Sequence, residues 1–286
     1  MEFLKYHALG NDYLVLDSGN DDSPVISLTA EQARKICNRN FGLGADGILI
    51  GSKDDSGKHF NLQIFNPDGS TAEKSGNGLR IFARFLWDKK QVNESQFNIM
   101  TSGGLVTALV ENSGSNVSVE MGKVSFQSDK IPVVGKIREV LNETIDIDGQ
   151  QLKFCAATIG NPHCVVLNGE QNQDVVRRIG PLIETHQNFP NRINVQFLEV
   201  LDRGKIRIEI WERGAGYTLA SGSSSCAAAS VARRLGLCEN KIAVLMPGGQ
   251  LDITVNEDYS ISMRGPVTRV GRMSLDPECL DHETSV

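Results

Sequence analysis

A Ser-Gly turn that leads into an amphipathic run occurs twice in this sequence, in FNPDGSTAEKSGNGLRIFARFL at residues 65–86 and in IWERGAGYTLASGSSSCAAASVARRL at residues 210–235. After each turn, apolar residues recur near helical spacing, which predicts a helix with one buried face. The predicted buried residues are Leu79, Phe82, Phe85 and Leu86 in the first helix and Cys226, Ala229, Val231 and Leu235 in the second. The two stretches look like copies of one unit.

The spacing of other landmarks indicates that the whole chain is a duplication. Ser75 and Ser221 are 221 − 75 = 146 positions apart, and the Gly-Gly turns ending at Gly104 and Gly249 are 249 − 104 = 145 positions apart. Two similar lobes related by a pseudo-twofold are therefore expected. Each helix start exposes unpaired N–H groups at the positive end of a helix dipole, so the two starts together favour one anion, such as a carboxylate.

Short runs rich in β-branched and apolar residues dominate the rest of the chain and predict strands. They lie at 13–18, 45–51, 60–65, 105–110, 115–121, 163–168, 193–200, 205–211, 242–246, 250–255 and 260–265. Further helices are predicted at 28–38, with Thr29 as the N-cap, and at 173–187. Many strands around one central helix in each half predict an α+β fold with two similar lobes.

The boundary between the lobes is expected within 112–150, where the strand pattern is interrupted. The expected division is an N-terminal lobe at 1–122 and a C-terminal lobe at 123–270. Residues 271–286 are expected to form a tail or a segment that returns to the first lobe.

Composition excludes several classes of function. The chain has 286 residues, 40% of them hydrophobic and 22% charged, with a net charge of −6, which is typical of a globular protein and disfavours nucleic acid as a partner. No apolar run approaches the roughly 20 residues of a membrane span, and the N-terminus does not resemble a secretory signal, so a cytoplasmic location is expected. The six cysteines lack CxxC or Cys/His spacing, so neither disulfides nor a metal site is predicted. No P-loop is present, and GLGADG at 42–47 lacks the context of a dinucleotide motif.

Six motifs along the chain indicate a family. They are HALGNDY at 7–13, GLGAD at 42–46, NPDGSTAEKSGNG at 66–78, GNPHCV at 160–165, FPNRINV at 189–195 and WERGAGYT at 211–218. In this order they resemble the diaminopimelate epimerases, cofactor-independent epimerases of lysine and peptidoglycan precursor synthesis. The resemblance covers essentially the whole chain. It implies two lobes, each with a curved, mostly antiparallel sheet around a central helix, a site in the cleft between them, a small amino-acid substrate, no cofactor, and a homodimer.

The sequence departs from that family at the two positions that carry the chemistry. In the family a cysteine from each lobe faces the substrate Cα, so that one thiolate removes the α-proton and the opposite thiol delivers a proton to the other face. Here Ser75 in SGNG stands where CGNG is usual, and Ser221 in ASGSS where ACGTG is usual. A thiol of pKa about 8.5 ionises readily at a helix start, whereas a hydroxyl needs an adjacent base, so weak or altered activity is expected. Cys226 lies too far along its helix to replace either residue and is expected in the core.

The resemblance implies that the residues holding the substrate are retained. Six residues match family residues that contact the amino and carboxylate groups of diaminopimelate. They are Asn11, Asn66, Asn161, Asn194, Glu212 and Arg213. The α-carboxylate is expected across the helix starts at Gly76–Asn77 and Gly222–Ser223. Among the nearby candidate bases, which are His163, Glu73, Asp46 and Glu212, we expect His163 to assist because its ordinary pKa is about 6.5.

Each of these residues also has a purely structural explanation. Serine is a preferred N-cap residue, which alone would account for Ser75 and Ser221. Asn66 in NPDG is typical of a turn, and a histidine after a proline is more often a structural hydrogen-bonding residue than a base. Glu212 and Arg213 could form a solvated ion pair worth roughly 0–1 kcal/mol. The resemblance favours ligand roles for the asparagines, Glu212 and Arg213, and favours a catalytic role for His163 only mildly.

Three explanations fit a retained binding site with serines at the catalytic positions. Both cysteines were exchanged deliberately, or the chain belongs to a natural serine-bearing branch that acts as an isomerase or dehydratase on another small acid, or it is an amino-acid-binding homologue without catalysis. Other departures from the family favour a natural branch: Gly47 where glutamine is usual, Tyr217 where glutamate is usual and Ser224 where glycine is usual. Gly47 and Tyr217 are expected to resize the pocket near the reacting centre.

Overall fold

A computed structural model describes residues 1–17, 27–54, 56–167 and 172–281. The chain divides into two compact units: unit 1 is Met1–Val119 together with the segment from Gly265 onward, and unit 2 is Glu120–Arg264. The divisions after Val119 and Arg264 fall a few residues before the positions predicted from the sequence, 122 and 270. The ends of two predicted strands and of the predicted C-terminal segment, namely Ser18, Asn168 and 282–286, lie outside the described residues.

Unit 1 begins with an alternation of strands and helices. In chain order these are β1 (Glu2–Ala8), β2 (Asn11–Leu16), α1 (Ala30–Cys37), β3 (Ile48–Lys53), β4 (Phe60–Phe65), β5 (Thr71–Ala72), α2 (Gly76–Asp88), β6 (Phe97–Thr101), β7 (Gly104–Glu111), a 3-10 turn at Asn112–Gly114, and β8 (Asn116–Lys123).

Unit 2 repeats this order of elements after one additional strand. Its elements are β9 (Glu143–Ile147), β10 (Gln150–Thr158), β11 (Pro162–Val166), α3 (Gln173–Glu184), β12 (Asn194–Asp202), β13 (Lys205–Glu212), β14 (Gly216–Thr218), α4 (Gly222–Arg234), β15 (Lys241–Met246), β16 (Gly249–Val255) and β17 (Ser260–Pro266). The chain then returns to unit 1 with β18 (Thr268–Ser274), which pairs antiparallel with β1, and α5 (Glu278–Asp281).

The strand pairings of the two units are also the same. In unit 1, β2 and β3 pair parallel, β4 pairs antiparallel with β3 and β5, and β4 pairs parallel with β6. In unit 2, β11 and β12 pair parallel, β13 pairs antiparallel with β12 and β14, and β13 pairs parallel with β15. Antiparallel hairpins complete each sheet. The structure thus confirms the α+β class, and the repeated pairings support the duplication.

The central helices α2 and α4 lie where the two repeated stretches predict them. Both have 13 residues, and their starts are 222 − 76 = 146 positions apart. The predicted apolar residues of α2 and Cys226 in α4 are buried, but Leu235 is the C-cap of α4 and is only partly buried. The core face of α4 consists of small residues, and its Ser225 and Ser230 hydroxyls donate to backbone carbonyls one turn earlier, at 2.8 and 2.7 Å. These bonds satisfy the buried hydroxyls and let the strands pack close to the helix.

Helices α3 and α4 lie on opposite faces of the sheet of unit 2. Successive residues of a strand face opposite sides. In β12, Val195 and Phe197 belong to the core cluster that contains the buried face of α3, whereas Gln196 between them donates to Ser224 of α4 at 3.0 Å. A side chain on these strands can therefore be assigned to the α3 side or the α4 side.

The α2 helix lies so close to β3 that Gly51 has no room for a side chain. A Cβ at Gly51 would lie 2.1 Å from Cζ and 2.2 Å from Cε2 of Phe82. We expect Gly51→Ala to lower the free energy of unfolding by about 1–3 kcal/mol, because the aromatic ring must move within a packed core. Urea unfolding measures the change.

The matched control is Gly271→Ala in β18, where a Cβ would meet nothing within 4 Å. We expect a change within about 0.5 kcal/mol there. Phe82→Leu should recover part of the loss caused by Gly51→Ala. Equal effects of the two alanine substitutions would contradict the close-packing explanation.

Candidate active site

Ser75 is the N-cap residue of α2 and is half-buried at the start of the helix. Its Oγ accepts a hydrogen bond from the Gly78 N–H at 3.0 Å, as expected for a cap. The same Oγ lies 3.2 Å from the hydroxyl oxygen of Tyr13 in β2. Capping explains the first contact but not the second.

A directed chain of hydrogen bonds orders the amide groups beside Ser75. Arg80, fully buried in α2, donates to Asn77 Oδ1. Because a guanidinium has only donors, Asn77 Oδ1 is its acceptor, and Asn77 Nδ2 donates to Asn11 Oδ1 at 3.0 Å. Asn11 Nδ2 then donates to Asp46 Oδ2 at 3.0 Å. The chain therefore fixes the orientation of both side-chain amides beside the start of α2.

Asp46 belongs to an ionic cluster that anchors this chain. Arg39 Nη2 lies 2.6 Å from Asp12 Oδ1 and 2.7 Å from Asp46 Oδ1, and Lys5 Nζ lies 2.7 Å from Asp12 Oδ2. Burial opposes ionisation of Asp12, but the hydrogen bonds from Arg39 and Lys5 prevail and hold its pKa at about 2. With its oxygens engaged by Arg39 and Asn11, Asp46 is an anchor for Asn11 rather than a base.

Asn66 occupies the turn that the NPDG motif predicts. Its backbone N–H donates to Ser70 O at 2.8 Å, its Nδ2 donates to Ser70 Oγ at 2.9 Å, and its carbonyl accepts from Gly69 N at 3.0 Å. These contacts support the structural explanation for Asn66 and leave its predicted ligand role untested.

In unit 2, Ser221 is the N-cap residue of α4 and is 3% exposed, but its side chain makes no capping bond to the helix. Two residues further on, Ser223 Oγ accepts from Asn161 Nδ2 at 3.2 Å. Asn77 likewise lies two residues after Ser75 in the sequence, and its side chain is hydrogen-bonded to Asn11. Each helix start therefore has an asparagine from a neighbouring strand end beside it.

The side chain of His163 is hydrogen-bonded to that of Asn161. Its Nε2 lies 3.0 Å from Asn161 Oδ1, and the ring is fully buried. Burial lowers the pKa of His163 to about 3. The hydrogen bond with the Gln196 side chain acts to raise the pKa, and the positive charge of Arg213 lowers it further. The prediction of an assisting base with a pKa of about 6.5 therefore needs correction, since the imidazole is neutral at physiological pH and has no exposed surface to offer a substrate. Its geometry is that of a residue that positions Asn161.

The other predicted ligands of unit 2 lie around one loop. Asn194 Nδ2 donates to Pro162 O at 2.8 Å, and Asn194 Oδ1 accepts from the backbone N–H of Arg213 at 2.9 Å. Glu212 accepts from the Thr218 hydroxyl at 3.2 Å, and the exposed Arg213 donates to Asn191 O at 3.1 Å. Asn194 thus connects two strand ends to the loop that carries Arg213.

Glu184 is a residue of this region that the sequence reasoning missed. It is 3% exposed at the end of α3 and accepts from Trp211 Nε1 at 2.7 Å, from Gly214 N at 2.9 Å and from Arg192. These bonds hold the loop that contains Arg213. The helix dipole disfavours a carboxylate in the last turn of a helix. A glutamate at this position in the sequence therefore indicates that donors from other segments stabilise its charge.

The two departures expected to resize the pocket lie in different surroundings. Tyr217 donates to Glu209 at 2.6 Å, and Arg177 of α3 lies 4.5 Å from its ring centre, so Tyr217 faces α3. Tyr217 thus lies on the α3 side of the sheet, and its expected effect on the size of the pocket stays a prediction. Gly47, in contrast, borders Tyr13, and a Cβ there would lie 2.5 Å from Tyr13 Cε1 and 2.6 Å from Phe65 O.

Across the described ranges, no cluster of three or more His, Cys, Asp or Glu side chains is placed to bind a metal ion. In the same ranges, no helix has the length and apolar content needed to cross a membrane. All six cysteines are free thiols.

Solved structures share this fold. A hydroxyproline epimerase from Agrobacterium vitis aligns with a TM-score of 0.67 at 15% identity, over 98% of this chain and 93% of the other. A phenazine biosynthesis protein from Bacillus anthracis also aligns with a TM-score of 0.67 at 15% identity, over 96% and 98%. The fold is therefore that of a class of two-unit α+β proteins that includes epimerases.

Sequence comparison gives the family within that class. The diaminopimelate epimerase family model matches residues 3–127 and 155–270. Diaminopimelate epimerase 2 of Nostoc sp. strain PCC 7120 is 55% identical, over 100% of this chain and 99% of its own, and diaminopimelate epimerase 1 of the same strain is 36% identical, over 94% and 98%. This chain belongs to the diaminopimelate epimerase family, a family of isomerases.

The Glu184 contacts generate a stability prediction. We expect Glu184→Ala to lower the free energy of unfolding by about 2–4 kcal/mol, because it removes the buried carboxylate that accepts hydrogen bonds from Trp211, Gly214 and Arg192. Glu199→Ala is the matched control, since Glu199 pairs with Arg207 on the surface, with both side chains 40% or more exposed, and should change stability by less than about 1 kcal/mol. Similar losses in urea unfolding for both variants would show that Glu184 does not organise this loop.

Proposed function

We propose that this protein is an amino-acid epimerase acting on diaminopimelate or a close analogue, with Ser75 and Ser221 as the pair that exchanges the α-proton. One observation carries the proposal: each of two equivalent central helices begins at one of these serines, with a strand-end asparagine beside it. In the proposed complex the substrate binds at these helix starts.

The helix starts supply the electrostatic part of the proposed reaction. Removal of the α-proton moves negative charge toward the substrate carboxylate, where the N–H groups of Gly76–Asn77 and Gly222–Ser223 and the side-chain amides of Asn11 and Asn161 stabilise it. Glu212 and Arg213 are proposed to hold the amino and carboxylate groups. His163 positions Asn161 and takes no part in proton transfer.

The proton moves between the two serines by way of the substrate. One serine, which has released its hydroxyl proton to the solvent, takes the proton from one face of Cα as an alkoxide, while the opposite hydroxyl gives its proton to the other face and becomes the alkoxide. Charge and protons balance, and the pair ends with its protonation states exchanged. The reaction is slower than with thiols, because a hydroxyl ionises less readily.

We infer a natural serine-bearing branch from the other departures from the family, at Gly47, Tyr217 and Ser224. This chain is more similar to the second than to the first of the two enzymes named diaminopimelate epimerase in one Nostoc strain. A homodimer and a cytoplasmic location remain part of the proposal and rest on the family resemblance and the composition. The competing function is an amino-acid-binding homologue, which is favoured by the lack of a capping bond at Ser221.

The α-proton signal of LL-diaminopimelate in D₂O, followed by proton NMR, separates the two functions. We expect slow loss of the signal with formation of the meso isomer, no exchange with Ser75→Ala or Ser221→Ala, and a rate higher by on the order of 100-fold or more with Ser75→Cys and Ser221→Cys combined. Saturable line broadening without exchange, in the natural sequence and in a folded double-cysteine variant alike, would leave only the binding function.

The burial of His163 makes a separate prediction about pH. Its pKa of about 3 keeps the ring neutral above that pH, so titration of His163 adds no inflection to the exchange rate between about pH 5 and 8. His163→Gln, which retains a polar side chain, should change the rate by the same factor across this range. A wild-type inflection near pH 6.5 that disappears in this variant would show instead that His163 exchanges protons.

A further inference from the structure

We propose that Tyr13 is a positioning residue for Ser75: its phenolic hydroxyl donates to Ser75 Oγ and stabilises the ionised form of that serine. This deepens the proposed function, since it assumes that Ser75 is one of the proton-exchanging pair. It also makes the two serines chemically unequal.

The donors around Ser75 Oγ define the environment. Gly78 N–H donates to it at 3.0 Å and the Tyr13 oxygen lies 3.2 Å away, so an alkoxide at Ser75, which can only accept, receives two hydrogen bonds. Hydrogen bonds to a charged acceptor are roughly twice as strong as neutral ones. The Tyr13 side chain is only 6% exposed, so its ring is held by packing and its hydroxyl is aimed without a large loss of side-chain freedom.

Gly47 provides the space for that ring. A Cβ at residue 47 would lie 2.5 Å from Tyr13 Cε1 and 3.0 Å from Tyr13 Cδ1, as well as 2.6 Å from Phe65 O. Gly47 is absent from the residues with positive φ, so its backbone conformation does not require glycine, whereas the close approach of Tyr13 does. The contacts therefore link three residues: Gly47 leaves space for the Tyr13 ring, and the Tyr13 hydroxyl contacts Ser75.

Among the described residues of unit 2, no equivalent of this contact is found. The sequence GNDY at 10–13 corresponds to GNPH at 160–163, so His163 occupies the place of Tyr13. His163 contacts Asn161 rather than Ser221, and the Ser221 side chain makes no capping bond. Negative charge is therefore better stabilised on Ser75, which is the base of the resting protein, while Ser221 is the proton donor.

A thiol placed at each serine reports this difference without requiring turnover. Ser75→Cys and Ser221→Cys are each made with Tyr13 and with Tyr13→Phe, and the pH dependence of alkylation by iodoacetamide is read at each site by peptide mass spectrometry. Tyr13→Phe keeps the ring and removes only the hydroxyl. We expect it to raise the pKa of the thiol introduced at residue 75 by about one unit and to leave the thiol at residue 221 unchanged.

Two further measurements make the result specific. Gly47→Ala should raise the pKa of the thiol at residue 75 when Tyr13 is present and add nothing to Tyr13→Phe. In α-proton exchange by the otherwise natural sequence, Tyr13→Phe should lower kcat about tenfold and leave KM unchanged.

An unchanged thiol pKa at residue 75 with Tyr13→Phe, or equal shifts at both sites, overturns the proposal. Absence of α-proton exchange in the natural sequence would count against the proposed function alone, because the thiol measurement still tests the contact between Tyr13 and Ser75.

Discussion

The start of each central helix imposes the constraint on which the rest of the site depends. A helix leaves its first N–H groups without partners inside the helix, and these starts lie within packed units where such groups must be satisfied. In α2, the Ser75 side chain takes one of them, and a buried arginine orders the amides around the others. In α4, the Ser221 side chain takes none.

The local signals in the sequence were sufficient for the central helices. The offset between the two serines, the apolar spacing after them and the Thr29 cap of α1 each depend on neighbours within a few residues, and the structure agrees with them, including a complete capping box at Thr29. Seven strands were missed, namely β1, β5, β6, β9, β10, β14 and β18. β18 is mostly exposed and polar and pairs with β1 from the other end of the chain, and β10 contains Cys-Ala-Ala, so neither has a strong local strand pattern.

The sequence likewise predicted some residues of the candidate site and missed others. Family motifs predicted the asparagines and both serines, because those residues stand in contiguous segments. The partners that orient them lie outside those motifs: Arg80 follows Asn77 by three residues in α2, and Glu184 holds the loop of Arg213 from another helix. Burial decides the role of His163, and burial results from packing of the whole unit, so its ordinary pKa was a poor guide to its function.

The measurement that tests this account most directly is a crystal structure of the protein with meso-diaminopimelate bound. The account predicts one α-carboxylate that accepts hydrogen bonds from the backbone N–H groups of both Gly76–Asn77 and Gly222–Ser223, with Cα between Ser75 Oγ and Ser221 Oγ. A ligand held by only one of the two helix starts, or bound away from both serines, would contradict it.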